Sequence, residues 1–376
     1  MELTEFRAAV DAWLDENADA LRPTPGGGAT LEAHVEQVAK VRRLTYDAGW
    51  ARWGWPERVG GLGGDNLLRA YLSETLTLRG LVHAGVYCMV EVMAPTMIGF
   101  APEALAAQMV PRLLRGDELW CQGFSEPGTG SNLAALACRA TRTEIGWRIS
   151  AQKVWTSYAQ FAQRCILLTR TGTPESRHKG ITAWFLDVDS PGVSIHPLQT
   201  MHGVDEFCEV FFDDVEVPED RMLGGEGDGW AVAMDLLPYE RSTSLWHRGA
   251  YLAHRLQRLV ETAPDGALDP RDVGTAVEQL YAFRARSRGT QRRLAAGERL
   301  GAETSIDKIM LGMTEHVVYD VVAAALPEQV LLGDDAAANE WRAEYLYSRA
   351  ATIYGGTAEI QRNIVARRLL DLGEDR

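Results

Sequence analysis

The chain has 376 residues, 46% of them hydrophobic and 24% charged, so it is long enough for two or three globular domains. A net charge of −14 without runs of Lys and Arg argues against nucleic-acid binding, and no stretch is apolar enough to span a membrane. The five cysteines are scattered without metal-ligand spacing, and the N-terminus lacks signal-peptide features, so we expect a cytoplasmic protein without a metal site.

The first third of the chain indicates helices, because its apolar residues recur at helical spacing. The predicted helices cover residues 3–21, 31–48, 66–78 and 102–114. Pro- and Gly-rich segments at 23–28 and 55–64 predict breaks between them. We therefore expect an N-terminal helical domain over residues 1–117.

The sequence pattern changes near residue 118, where short β-rich segments alternate with turn residues. The predicted strands cover residues 137–143, 147–150, 165–170, 181–188, 193–198 and 209–217. Several strands at this spacing favour a small antiparallel barrel or sandwich. The expected middle domain covers residues 118–222.

Helical periodicity returns after residue 230 and continues almost to the C-terminus. The predicted helices cover residues 251–260, 272–294, 305–325 and 339–352. A Gly355-Gly356-Thr357 turn opens a last helix, whose predicted apolar face holds Ile360, Ile364, Leu369 and Leu370. The expected C-terminal domain covers residues 223–376, and the whole chain is of the α+β class.

A glycine-containing loop stands at the entrance to the predicted β region, at residues 124–132. Gly128 and Gly130 allow a ligand to approach the backbone, while Ser125 and Ser131 supply hydroxyl groups. The loop matches neither a P-loop nor a Gly-x-Gly-x-x-Gly dinucleotide motif. Taken alone, the Gly-x-Gly-Ser pattern favours a glycine-rich surface turn over a ligand site.

Several segments together carry a more specific signal. They are Trp120–Ser131, Lys153-Val154-Trp155-Thr156-Ser157, 209–218, Gly229-Trp230 with Tyr239-Glu240-Arg241, and 353–362. In this order and spacing they resemble the acyl-CoA dehydrogenase family over nearly the whole chain. The resemblance implies N-terminal helices, a middle β domain, a C-terminal four-helix bundle, and FAD held between the last two.

Matching positions in the family imply which residues hold the cofactor. The implied flavin contacts are Gln122, Phe124, Ser125, Gly130, Ser131, Trp155 and Ser157. Thr357 and Glu359 of a neighbouring subunit are implied to contact the adenosine side. Two alternatives stay open, because Thr357 is also a good helix N-cap and Trp155 is also a plausible core residue.

The implied reaction is α,β-dehydrogenation of an acyl thioester, in which a base removes the α-proton and flavin N5 takes the β-hydride. In the best-known relatives the base follows a Tyr in the segment that here reads Tyr354-Gly355, and Gly355 cannot act as a base. A minority branch that includes isovaleryl-CoA dehydrogenase carries the base before an Arg, as in Glu240-Arg241 here.

Glu240 is therefore the expected catalytic base, with Arg241 and the Gly355 N–H as expected substrate contacts. The alternative is a solvated surface carboxylate, and Pro238 predicts a helix break or kink just before Glu240.

Two family motifs are missing from the C-terminal third: the Arg-x-Phe-Gly motif that contacts a partner's FAD, and a Gly-Gly-x-Gly segment before the final helices. One hypothesis is thus a catalytic dehydrogenase that passes electrons to an electron-transfer flavoprotein. The other is a non-catalytic or half-site subunit of a heteromeric enzyme. An acyl-thioester oxidase of the same fold is a further alternative.

The resemblance implies a dimer or tetramer, with either like or unlike subunits. It leaves open the acyl group and whether CoA or a carrier protein bears it.

Overall fold

The computed structural model describes residues 1–23 and 30–373. Its elements follow the expected order of helices, strands and helices, which confirms the α+β class. The break predicted at 23–28 lies, apart from Pro23, outside the described residues.

Within the described residues, six α-helices precede the sheet. They are α1 (Leu3–Glu16), α2 (Ala18–Leu21), α3 (Leu31–Asp47), α4 (Asn66–Leu78), α5 (Ala84–Phe100) and α6 (Glu103–Arg115). The first predicted helix is divided at Asn17, whereas α4 has the predicted bounds. Helix α5 was not predicted, because most of its residues are buried and it therefore lacks the one-sided apolar pattern of a surface helix.

Eight strands form the sheet of the middle region. They are β1 (Trp120–Gly123), β2 (Arg139–Arg142), β3 (Trp147–Ser157), β4 (Arg164–Arg170), β5 (Ile181–Asp187), β6 (Val193–Leu198), β7 (Phe207–Val217) and β8 (Met222–Leu223). The order is β6-β7-β3-β2-β4-β5-β8, and β1 pairs with β4. Most pairs are antiparallel as expected, but β1 and β2 pair in parallel with β4. The expectation of purely antiparallel pairing is corrected at these two places. Neither β1 nor β2 precedes β4 directly in the chain, so no hairpin forces them to run antiparallel to it.

The remaining α-helices of the described chain are α7 (Gly229–Glu240), α8 (Thr243–Thr262), α9 (Pro270–Ala295), α10 (Thr304–Ala325), α11 (Pro327–Leu331), α12 (Ala336–Ser348) and α13 (Ala358–Arg368). Helices α8, α9, α10 and α12 share one apolar core, which forms the expected four-helix arrangement. Pro238 lies in the last turn of α7, so the helix break that it predicts coincides with the helix end at Glu240.

The last helix differs from its predicted packing. Leu369 and Leu370 follow the end of α13 and are exposed, whereas Gln361 is its buried residue. None of the helices that the structure describes is long and apolar enough to cross a membrane.

Candidate active site

A cavity of about 1250 Å³ lies where α5, the sheet and the C-terminal helices meet. The residues predicted for the site that border it are Gln122, Ser157, Glu240, Arg241 and Gly355. The cavity therefore brings together residues from β1, β3, the end of α7 and the turn before α13.

Glu240 and Gly355 face the same small space, although 115 residues separate them in sequence. A Cβ atom added at Gly355 would lie 3.2 Å from Glu240 Oε1. A larger side chain at position 355 would therefore compete with the Glu240 carboxylate for this space. Gln122 Nε2 approaches Glu240 Oε2 from β1 at 3.4 Å, so its hydrogen bond to the carboxylate is long.

The turn at Gly355 and Gly356 has two consecutive positive φ angles, of 63° and 92°, which glycine adopts without steric cost. Arg241 Nε and Gln361 Nε2 each donate to the Gly355 carbonyl oxygen at 3.0 Å. Among the described residues, the Gly355 N–H has no hydrogen-bond acceptor. Arg241 thus holds the turn from one side, and the amide stays available to a ligand.

Lys308 is a cavity residue that sequence reasoning missed. It is 3% exposed, its Nζ donates to the Ala351 carbonyl oxygen, and the same atom lies 4.3 Å from the Tyr354 ring centroid. Burial lowers the pKa of Lys308 to about 8, although the charges of Glu315 and Glu240 oppose this shift. Lys308 therefore places a titratable cation beneath the Tyr354-Gly355 turn.

The loop after β1 is held to β3 by a buried ion pair. Lys153 Nζ lies 2.8 Å from Glu126 Oε1 and donates to the Phe124 carbonyl oxygen at 3.2 Å. Glu126 also accepts from the backbone N–H groups of Ala137 and Cys138. Burial alone would raise the pKa of Glu126, but Lys153 and these hydrogen bonds outweigh it and lower the pKa. The Lys153–Glu126 pair thus fixes the loop.

Strand β3 contains a bulge opposite β7, between Lys153 and Thr156. Trp155 occupies it with a φ of 61°, and its side chain is 59% exposed, in edge contact with Phe207. A bulky residue with positive φ is strained, and such strain is concentrated at functional sites. Because Trp155 is exposed, the alternative that it is a core residue is wrong.

Several polar groups on β1, on the loop that follows it and on β3 have no partner in the described part of the chain. Gln122 Oε1, Thr129 Oγ1 and Thr156 Oγ1 are buried without a hydrogen bond. Phe124 is buried beneath the loop, Ser125 is partly buried, and Gly130 and Ser131 are exposed. Gln122 borders the cavity, whereas Phe124, Ser125, Gly130 and Ser131 do not, so the predicted cofactor residues form a surface that continues outward from it.

The two residues predicted to act from a neighbouring subunit also lie outside the cavity. Thr357 Oγ1 accepts from Ile360 N at 3.3 Å and so caps α13, the alternative that the sequence left open. Glu359 is exposed and lies 3.8 Å from Arg362. Their predicted contact with adenosine stays a prediction.

The comparisons with known proteins agree with this architecture. Three family models match: the N-terminal domain (residues 2–117), the middle domain (121–215) and the C-terminal domain (227–370) of acyl-CoA dehydrogenase. A relative from Mycobacterium tuberculosis, acyl-CoA dehydrogenase IpdE1, is 36% identical over 99% of this chain and 98% of its own length. Human mitochondrial short-chain specific acyl-CoA dehydrogenase is 25% identical over 90% of this chain and 84% of its own length.

A solved structure titled Tcur3481-Tcur3483 steroid ACAD superposes with a TM-score of 0.82 and 27% identity. The alignment covers 100% of this chain and 98% of that one. With all three domain models matched in order, the chain belongs to the acyl-CoA dehydrogenase family of FAD-dependent oxidoreductases.

Proposed function

We propose that this chain dehydrogenates an acyl-CoA thioester at its α,β bond and that Glu240 is the base. One observation carries the proposal: the Glu240 carboxylate and the Gly355 backbone meet at the cavity, with Glu240 Oε1 3.2 Å from the Cβ position of Gly355. The chain thus has a carboxylate beside the position where the best-known relatives carry theirs.

The residues around the β3 bulge fit a flavin. An exposed indole at Trp155 offers a stacking surface, and three buried polar atoms on β1, the following loop and β3 lack partners. We expect Gln122, Phe124, Ser125, Gly130, Ser131, Trp155 and Ser157 to hold FAD there. When bound, FAD supplies the acceptor for the β-hydride.

Two groups act on the thioester in this proposal. Glu240 removes the α-proton, and the free N–H of Gly355 donates to the thioester carbonyl oxygen, on which negative charge develops. Arg241 holds the Gly355 carbonyl and thereby orients the same peptide turn. Arg241 is thus proposed to bind substrate indirectly, by positioning this turn.

An electron-transfer flavoprotein is the proposed electron acceptor, and CoA is the proposed thiol carrier. The Tcur3481-Tcur3483 relative is titled a steroid enzyme, which supports a bulky acyl group here as well. All five cysteines are free, which supports the proposed cytoplasmic location.

The test of the base is Glu240→Gln in the purified flavin-bound enzyme. Mixing it with acyl-CoA in the absence of oxygen should leave the visible flavin absorbance unchanged. The rate of flavin reduction should fall by about a thousandfold or more, because proton removal by a positioned base is lost. The surface variant Glu103→Gln is the matched control and should reduce its flavin at the wild-type rate.

Flavin reduction at a near-normal rate in Glu240→Gln, with flavin content unchanged, would show that another group is the base. The acceptor is tested separately on the substrate-reduced wild-type enzyme. A dehydrogenase stays reduced until an electron-transfer flavoprotein is added, whereas rapid reoxidation by oxygen identifies an oxidase.

A second candidate is a subunit that shares its flavin site with a partner chain. The exposed Trp155, Gly130 and Ser131 favour it, because this chain alone leaves that surface open, and the steroid relative's title names two components. Counting flavin per polypeptide in the chain purified alone distinguishes the two. About one flavin per chain supports a self-sufficient enzyme, whereas a colourless chain or half a flavin supports the shared site.

A further inference from the structure

The cavity extends well beyond the proposed reaction centre, along one face of two helices. On α8 its bordering residues include Ser244, Arg248, Tyr251, Arg255 and Arg258, which span about 21 Å of helix. On α5 they run from Val92 back to Ala84, and they continue through His83 to Gly80 in the segment before the helix. An acyl group that begins at Glu240 therefore has a long passage in front of it.

The near end of this passage is fixed by a contact between the two helices. Ser244, which follows Glu240 by four residues, donates from its Oγ to Cys88 Sγ at 3.3 Å. His83 precedes Cys88 by five residues, so it lies about 7.5 Å further along the α5 direction. His83 thus borders the passage at a distance from the thioester that a ring-sized acyl group spans.

Two imidazoles stack beside the passage at His83. The His34 and His83 rings are 4.8 Å apart with an interplanar angle of 15°, and both border the cavity. The Tyr251 ring lies 6.3 Å from that of His83, and its hydroxyl donates to Glu344 Oε1 at 2.6 Å. The passage is therefore bordered here by polar rings that are held in place by their contacts, whereas a plain alkyl chain would call for an apolar wall.

His83 has hydrogen-bonding capacity that the described residues do not use. It stands at the N-cap position of α5 without capping the helix, and its Nδ1 is buried without a partner. Gly85 keeps this place open, because a Cβ there would lie 2.5 Å from Tyr158 Oη and 3.3 Å from His83 Cε1. An unsatisfied buried polar atom is costly, and a ligand able to reorient the ring removes that cost.

The charge state of the surroundings indicates the kind of ligand. Burial lowers the pKa of His34 and lowers that of His83 to about 3, so each ring is neutral and carries one donor and one acceptor nitrogen. Arg248 is paired with Glu315 and Glu344, and Arg255 with Glu340. The charges of these two arginines are thus countered by carboxylates, although Arg248 Nε and Arg255 Nε and Nη2 have no hydrogen-bond partner among the described residues. An oxygen acceptor without net charge therefore suits the site better than an anion.

We propose that the stacked His34–His83 pair is a specificity site that hydrogen-bonds a neutral carbonyl or hydroxyl oxygen on a bulky acyl group. This inference rests on the proposed function, since it takes the thioester to lie at Glu240. It goes further by naming the substrate class: oxygenated, ring-sized acyl groups are preferred over unsubstituted ones.

The test is binding of two unreactive CoA thioethers to the flavin-bound enzyme, measured by calorimetry. In one, a propyl chain ends in a cyclohexanone ring; in the other, it ends in cyclohexane. The ketone should bind about fivefold more tightly, as one added hydrogen bond predicts. In His83→Phe, and in His34→Phe as a second variant, the two dissociation constants should become equal, chiefly through weaker binding of the ketone.

His247→Phe is the matched control, because His247 is a buried histidine of α8 that does not border the cavity. It should keep the wild-type ratio. Equal binding by the wild type, no binding of either thioether, or an unchanged ratio in both cavity variants would overturn the specificity site.

Failure of the proposed reaction is seen separately. Thioethers lack the carbonyl that acidifies the α-proton, so their binding does not depend on turnover. If the corresponding thioesters leave the flavin oxidised while the ketone preference persists, the dehydrogenation proposal fails and the specificity site stands.

Discussion

Two lysines, Lys153 in β3 and Lys308 in α10, are almost equally buried, at 0% and 3% exposure, but they have different partners. Lys153 is neutralised by the Glu126 carboxylate at 2.8 Å. Lys308 has no carboxylate of the described residues within ion-pair distance, and it contacts a carbonyl oxygen and the Tyr354 ring. The first lysine therefore stabilises a loop, whereas the second leaves a partly uncompensated charge beside the proposed reaction centre.

The largest expected effect on stability comes from breaking the Lys153–Glu126 ion pair. Lys153→Met leaves the Glu126 carboxylate buried without its cation, so the free energy of unfolding should fall by about 3–5 kcal/mol. Chemical denaturation of the purified protein measures this loss. The double variant Lys153→Met/Glu126→Gln should recover most of it, and a loss below about 1 kcal/mol in the single variant would contradict a structural role.

The effect of Lys308 should instead appear as a pH dependence of the free energy of unfolding. Because the pKa of Lys308 is lowered to about 8, the folded protein releases this proton at lower pH than the unfolded chain does. Above pH 8 the unfolded chain holds more protons, so stability rises with pH until the unfolded lysine also titrates. Between pH 7 and pH 9.5 the wild type should gain about 2 kcal/mol relative to Lys308→Met.

Denaturation curves of both proteins at the two pH values measure this difference. Using Lys308→Met as the reference cancels the titration of the other groups. A difference that stays constant with pH, or that favours the variant more at pH 9.5, would contradict a charged, unpaired Lys308 at neutral pH.

Gly355→Ala tests the space between Lys308 and Glu240. The new Cβ would lie 3.1 Å from Lys308 Cε and 3.2 Å from Glu240 Oε1, at a residue whose φ is positive. Displacing the proposed base should lower the rate of flavin reduction about tenfold, without loss of bound flavin. Gly289→Ala, on α9 with no atom within 4 Å of the added carbon, is the control and should keep the rate. A wild-type rate of flavin reduction in Gly355→Ala would contradict the proposal that the reacting Glu240 carboxylate lies beside position 355.

The smallest expected effect is at Gln122, the third residue at the Glu240 carboxylate. Its bond to Oε2 is 3.4 Å long, so Gln122→Leu should lower the rate of flavin reduction only about threefold. The rate is expressed per bound flavin, because Gln122 is also a proposed cofactor contact. A loss of a hundredfold or more would contradict a weak contact and make Gln122 a main determinant of the reaction.

Much of the architecture could be predicted because it depends on local patterns. The change from helical periodicity to short β-rich segments separated by turn residues marks the middle sheet, and the bounds of α4 and β6 agree with their predictions. Helix α5 escaped prediction because it is buried on nearly all sides and so has no amphipathic period. The parallel entry of β1 also escaped, since strand direction depends on chain crossings far from the strand itself.

The site could be predicted only in part. Family segments pointed to Glu240 and Gly355, but Lys308 carries no sequence signal, because a lysine on a helix is ordinarily a solvated surface residue. The same holds for His34 and His83, which stand 49 positions apart in the sequence and meet only because α3 packs beside the start of α5. The outward orientation of Trp155 depends on a bulge that the strand pattern did not reveal.

The sequence alone determined the order of the three regions and the family. It also showed that position 355 is a glycine, where the best-known relatives have a carboxylate, and that a glutamate stands at position 240 instead. These properties can be predicted because they depend on residue types and hydrophobic periods within short segments of the chain. Only the tertiary structure decided that Glu240, Gly355 and Lys308 share one space and that the stacked His34 and His83 rings border the same cavity. Such contacts join residues far apart in the chain, so they exist only after the helices have packed.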